Sequence, residues 1–131
     1  MTTDVRLLFY SIGLTWLMLM VASMMRARGW TPTGMQAAVG NRDAMPAPSP
    51  AAARADRAAK NMLENLVLFL AVLVAAHMAG AQQDRLDLGA RLFFYARLAY
   101  FPVYLAGITY VRTLLWGIAV AGMGVMATAA L

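Results

Sequence analysis

Residues 57–79 read RAAKNMLENLVLFLAVLVAAHMA. From Leu66 to Ala76 every side chain is apolar, and with its flanks the stretch matches the ~20 residues that cross a bilayer as a helix. At its head stand Arg57, Asn61 and Glu64, spaced i, i+4, i+7, which an α-helix gathers on one face about two turns long. A charge at bilayer depth costs roughly 3 kcal/mol on insertion scales, so it must be paired or face a cavity. Arg57 and Glu64 offer opposite charges, with an amide between them that donates and accepts. Such a face suits a zwitterionic, peptide-like ligand. The arginine would hold a carboxylate in its fork, and the glutamate an ammonium or amide N–H.

Three further apolar stretches flank this one. Upstream, residues 5–25 form a first span. It resembles a secretory signal, but its length, the Asp4/Arg6 pair and the following Arg26 and Arg28 argue for a retained helix. Residues 26–56 carry Pro32, Pro46, Pro48 and Pro50 with Gly34 and Gly40, a density that excludes a continuous helix and predicts one long loop. Downstream of the second span (58–79) lies a polar turn, Gly80–Gly89. A third span is expected at 92–108, ending at a break at Gly107, and a glycine- and alanine-rich fourth at 114–131, whose small residues suit close helix packing. The expected fold is therefore all-α, an integral membrane four-helix bundle forming a single domain over residues 1–131.

Composition agrees. Of 131 residues, 62% are hydrophobic and 13% charged, against about 45–50% and about 25% in soluble domains. The absence of cysteine excludes disulfides and a cysteine nucleophile, and a single histidine argues against a metal centre. The net charge of +5 does not point to nucleic acid, because the basic residues flank apolar spans. Arg26, Arg28, Arg42, Arg54, Arg57, Lys60 and Arg112 fall on one side, and Arg6, Arg85 and Arg91 on the other. This asymmetry places the long loop in the cytoplasm and both termini outside.

The third span carries a second polar stripe, Arg97, Tyr100 and Tyr104 at i, i+3, i+7. Arg112 follows at the mouth of the fourth span, on the same side as Arg57. Two stripes reaching one membrane face point to a site between helices, open to the cytoplasm. Plainer readings exist. Arg57 and Lys60 serve as positive flank residues, Glu64 and Arg97 form a structural salt bridge, and the tyrosines belong to an aromatic belt. Asn65 reads as a helix–helix contact, His77 as an interface residue, and Met18, Met20, Met24 and Met25 as packing.

The segment Arg57-Ala58-Ala59-Lys60-Asn61-Met62-Leu63-Glu64-Asn65-Leu66, continuing to Phe69-Leu70, resembles the R-A-x-x-N-x-x-E-x-x-x-x-F signature of the MAPEG family, the membrane-associated proteins of eicosanoid and glutathione metabolism. Arg97-Leu98-Ala99-Tyr100-Phe101-Pro102-Val103-Tyr104 is similar to the family's R-x-x-[YH]-x-x-x-Y motif, and Asn41-Arg42-Asp43 resembles its bacterial branch. The resemblance covers essentially the whole chain. It implies a homotrimer in a bacterial inner membrane, with glutathione held between neighbouring subunits near the cytoplasmic face and lipophilic substrates reaching it from the bilayer. By the same resemblance, Arg57, Asn61, Glu64, Arg97, Tyr100 and Tyr104 contact the tripeptide, and Arg112 stabilises its thiolate with Tyr104 as auxiliary donor. An arginine from the end of a neighbour's first helix completes the site. Arg26 and Arg28 both stand there, with Arg28 carried as the candidate.

The long proline-rich loop and Asn65, where some members carry an aromatic residue, depart from the eukaryotic pattern. The family also contains a member that binds lipids without catalysis, so membership alone does not establish an enzyme. Two functions follow as expectations. One is a glutathione transferase or peroxidase for lipophilic electrophiles or lipid hydroperoxides. The other is a non-catalytic lipid-binding or scaffold protein of the same fold. A small channel or transporter subunit fits less well, since the charges gather at one end.

Overall fold

The computed structural model describes residues 1–131 and consists of helices α1 (Thr3–Ala27), α2 (Pro32–Val39), α3 (Pro50–Met78), α4 (Gln83–Leu105) and α5 (Thr109–Ala129). Local chemistry sets their ends. α1 stops where Arg28 turns left-handed, with φ 52°, and its N–H bonds the Met24 carbonyl. Thr31 caps α2 by accepting the Gly34 N–H, and Ser49 caps α3 by accepting the Ala52 N–H. Pro32 and Pro50 occupy the first position of these two helices, where a missing N–H costs no hydrogen bond.

This arrangement corrects the expectation of one uninterrupted loop at 26–56. Two of its prolines start helices rather than prevent them, so α2 lies inside the stretch and α3 begins at Pro50, well before Ala58. α4 likewise begins at Gln83, within the stretch expected to be a turn. It gives way after Leu105 to a tight connection in which Gly107 has φ 78°.

Three helices, α1, α3 and α5, are long and apolar enough to cross a membrane. α4 is diluted by Arg91, Arg97 and its tyrosines and does not reach that level of apolarity. Around the shared core, α1 packs on α3 and α4, α3 on α4 and α5, and α4 most extensively on α5. Met18, Met62, Phe69, Leu73, Phe93 and Met126 fill the centre, with Phe69 and Phe93 stacked at 4.2 Å. Large apolar side chains such as Phe9, Trp16, Val67 and Leu114 face outward, as suits a chain solvated by lipid or by neighbouring helices.

Two contacts tie the helices together. α4 and α5 meet backbone to backbone at Gly89 and Gly122: a Cβ on Gly122 would lie 2.6 Å from the Gly89 carbonyl oxygen. At the end where α1 starts, fully buried Asp4 joins three helices. Its carboxylate meets His77 Nε2 of α3 at 2.5 Å and accepts from Gln83 Nε2 of α4 at 2.8 Å. Its N–H donates to Asp87 Oδ1 at 3.1 Å. His77, expected to be an interface residue with no assigned role, belongs to a polar clasp between helices. Its partner lies 73 residues away, beyond the reach of local spacing.

The glycine contact yields a paired prediction. Gly122→Ala lowers the unfolding midpoint in detergent micelles, by a destabilisation of about 1–3 kcal/mol for overpacking a close contact. Gly124→Ala, where an added Cβ meets nothing within 4 Å, leaves the midpoint unchanged or raises it, because alanine is the better helix former.

Candidate functional site

The residues of the two stripes meet at the end of the molecule opposite the Asp4 clasp. Asn61 lies on α3, Arg97, Tyr100 and Tyr104 on α4, and Arg112, Thr113 and Trp116 on α5. Arg97 is the pivot. Its side chain is completely buried, a position that charge tolerates only with partners. Nη1 donates to Asn61 Oδ1 at 2.8 Å, Nε points at Met62 Sδ at 3.2 Å, and the guanidinium lies 4.2 Å over the Tyr100 ring. Nη2 has no hydrogen-bond partner. Asn65, itself buried, donates to the Asn61 backbone carbonyl at 2.8 Å and stands 3.4 Å from its Oδ1, holding that oxygen toward Arg97.

Around this pivot the other groups assemble by stacking and hydrogen bonding. Tyr100 and Tyr104 rings lie 5.4 Å apart, and the Arg112 guanidinium sits 4.6 Å over Tyr104. Arg57 Nε donates to the Tyr104 hydroxyl at 3.3 Å, which leaves the phenolic O–H free to donate elsewhere. Asn61, Tyr100, Arg112, Thr113 and Trp116 line a cavity of about 160 Å³.

The electrostatics are one-sided. Arg57, Arg97 and Arg112 bring three guanidiniums together with one amide and two phenols. No carboxylate answers them, since the chain's one ion pair is His77–Asp4 at the other end. A structural bridge between Glu64 and Arg97, one of the plainer readings of the sequence, does not form: Glu64 is exposed and its carboxylate has no partner within the chain. A cluster of this kind, with Arg97 buried, Arg112 half-buried and Arg57 exposed, favours an anion. Guanidinium forks bind carboxylates, and cations next to a thiol favour its ionised form.

Most of the expected set is thus brought together: Arg57, Asn61, Arg97, Tyr100, Tyr104 and Arg112. Glu64 and Arg28 are not. Arg28, exposed at the end of α1, borders a separate hollow with Thr31, Gly34 and Pro46, and Arg26 is engaged with the Pro46 carbonyl. Thr113 and Trp116 escaped the sequence reading, although Trp116 stands one turn past Arg112 on the same helical face. Arg54, which the sequence offers only as a flanking cation, stands one turn before Arg57; its Nε donates to the Leu105 carbonyl at 3.0 Å and ties the start of α3 to the end of α4.

A family model for the MAPEG family matches residues 6–131, nearly the entire chain. The chain belongs to the MAPEG family. Comparison with individual curated proteins returns no match, so the assignment rests on the family model. MAPEG proteins include glutathione transferases and peroxidases as well as non-catalytic members, and both of this chain's polar stripes lie inside the matched region.

The pivot predicts contrasting effects at two neighbouring motif positions. Asn61→Ala leaves the buried Arg97 without its one oxygen acceptor and destabilises the protein by about 1–3 kcal/mol, read as a lower unfolding midpoint. Glu64→Gln, at an exposed and unpartnered side chain, shifts stability by no more than about 0.5 kcal/mol.

Proposed function

We propose that this MAPEG protein is a membrane-bound, glutathione-dependent transferase or peroxidase acting on lipophilic electrophiles or lipid hydroperoxides. The observation that supports it is the unanswered positive charge of the cluster: three guanidiniums, one of them buried with an unpaired nitrogen, and no carboxylate among them. The donor set fits glutathione, which carries two carboxylates and a thiol. When bound, that thiol supplies the nucleophile or the reducing equivalents. Arg112 lies beside the cavity and would favour a thiolate over a thiol whose free pKa is about 8.5. The Tyr104 O–H adds a hydrogen bond, Arg57 grips a carboxylate, and Asn61 orients the ligand's amides. Trp116 gives the wall an apolar element on the side where substrates arrive from the bilayer.

The same reading assigns α4 as the fourth crossing, with Arg97 turned inward and the exposed Asp84, Arg85 and Arg91 confined to its first half, and takes the cluster to lie at the cytoplasmic face with both termini outside. It also calls for a homotrimer. A cavity of about 160 Å³ is smaller than the ~300–1,000 Å³ typical of small-ligand pockets, which suits a tripeptide site that a second chain completes. On this reading Glu64 and Arg28, both exposed, join the site across such an interface.

One observation favours the alternative, a non-catalytic lipid-binding or scaffold role. Several cluster residues already bond one another, Arg57 to Tyr104 and Asn61 to Arg97, as a purely structural polar stripe would.

The test separates the two readings. Glutathione added to the purified protein is expected to give the ultraviolet absorbance of a thiolate, together with conjugation of model electrophiles. Arg112→Ala should abolish the thiolate signal and lower kcat/KM by about 10²-fold, the usual loss for one electrostatic stabiliser. The residual activity should rise with pH toward the ionisation of the free thiol. Absence of thiolate signal and of turnover in the wild-type protein, with Arg112→Ala changing stability alone, would establish the alternative.

A further inference from the structure

The loop side of α1 carries a feature that the glutathione reading does not use. Trp30, Met35 and Val39 are all exposed, Val39 to 78%, on a segment adjoining the end of a candidate membrane span. On α2, Met35 and Val39 are four residues apart and share a face, while Thr33 and Gln36 point around the helix to another. The remaining side of α2, with Gly34 buried and Ala37 and Ala38 half-buried, is the one packed on α1.

The depth of this segment is fixed by its contacts with α1. Gly34 is pressed against the last α1 residues so closely that a Cβ there would lie 2.4 Å from the Ala27 carbonyl oxygen. Beyond α2, the Arg42 side chain reaches back to the Ser23 hydroxyl at 2.8 Å, one turn before α1 ends, while its Nε holds the Ala38 carbonyl. α2 therefore rides beside the final turn of α1 rather than projecting away from it. The 25 residues of α1 extend ~37 Å at 1.5 Å each, against ~30 Å for the hydrocarbon core. Its final turn, and α2 with it, thus comes to headgroup level. Arg26, Arg28, Arg42, Arg54, Arg57 and Lys60 lie on the segments that meet at this end, against Asp43, Asp56 and Glu64.

We propose that residues 30–42 form an interfacial element: Trp30, Met35 and Val39 enter the headgroup–acyl boundary of the protein's own bilayer, and Arg26 and Arg42 beside them engage anionic lipid phosphates. Apolar residues on one face, cations beside them and an indole at the membrane edge are the pattern of helices that lie in an anionic interface. The occupant of the exposed face is thus lipid, and the element docks the loop against the membrane on the same end as the polar cluster. This inference stands independently of whether glutathione binds.

The cysteine-free chain allows a direct test on the full-length protein. Val39→Cys and Thr33→Cys each introduce one site for a nitroxide label. In bilayers containing anionic lipid, the Val39 label should be more accessible to oxygen than to a water-soluble nickel chelate, and the Thr33 label the reverse. Bilayers of zwitterionic lipid alone should move the Val39 label toward water. Equal chelate access at both positions would overturn the proposal in favour of a loop in solvent. A Val39 label shielded from both probes would overturn it in favour of a protein–protein contact. An unchanged depth on removing anionic lipid would overturn the electrostatic part. Melting curves of both labelled variants verify that each remains folded.

Discussion

A guanidinium held completely inside a helical membrane protein imposes conditions on everything around it, and Arg97 is such a group. Its charge needs an oxygen acceptor, which Asn61 supplies from the facing helix, and Asn65 supports Asn61 from behind. It also needs polarisable cover, which the Tyr100 ring and the Met62 sulfur provide. These demands fix the relative positions of α3 and α4 at one end, as the Asp4–His77–Gln83 clasp fixes them at the other. Tyr104 then receives Arg57, Arg112 stacks on Tyr104, and α5 is drawn to the same point. One buried charge thereby organises a positive cluster whose demand for an anion exceeds what the chain itself supplies.

The parts of this arrangement that obey helical periodicity were legible in the sequence. Arg57 and Asn61 share a face because they are four residues apart, and Arg97, Tyr100 and Tyr104 because they are three and four apart. Charged and polar residues set at the edge of or within apolar runs make both stripes conspicuous. Interhelical geometry was less legible. Nothing in the spacing of Glu64 distinguishes a side chain aimed at Arg97 from one aimed outward, and the structure turns it outward. Trp116 was lost among other apolar residues of α5, where an aromatic has no reason to stand out. His77 found its partner across the fold, a pairing no local pattern announces.

The long connection shows a different limit. Counted as a density, its prolines argue against helix, but position within a helix matters more than number. Pro32 follows Thr31 and Pro50 follows Ser49, so each dipeptide is a cap and first-position pair that starts a helix instead of breaking one. The span boundaries drawn from hydropathy also stop where apolarity stops, whereas α3 continues through Ala51–Ala53 and Arg54 because alanine and arginine favour helix whatever surrounds them. That extra length carries Arg54 to the end of α4 and closes the structure beside the cluster.

Membership of the MAPEG family and the geometry of the cluster support one account from different directions, the first from the whole chain and the second from unbalanced charge at a single point. The most direct measurement is a structure of the assembled protein determined with glutathione at saturating concentration. The account predicts the tripeptide between adjacent subunits, with a carboxylate at Arg57 and the sulfur beside Arg112. It would be contradicted if the cluster held no ligand and a neighbouring subunit's carboxylate instead neutralised Arg57, Arg97 and Arg112.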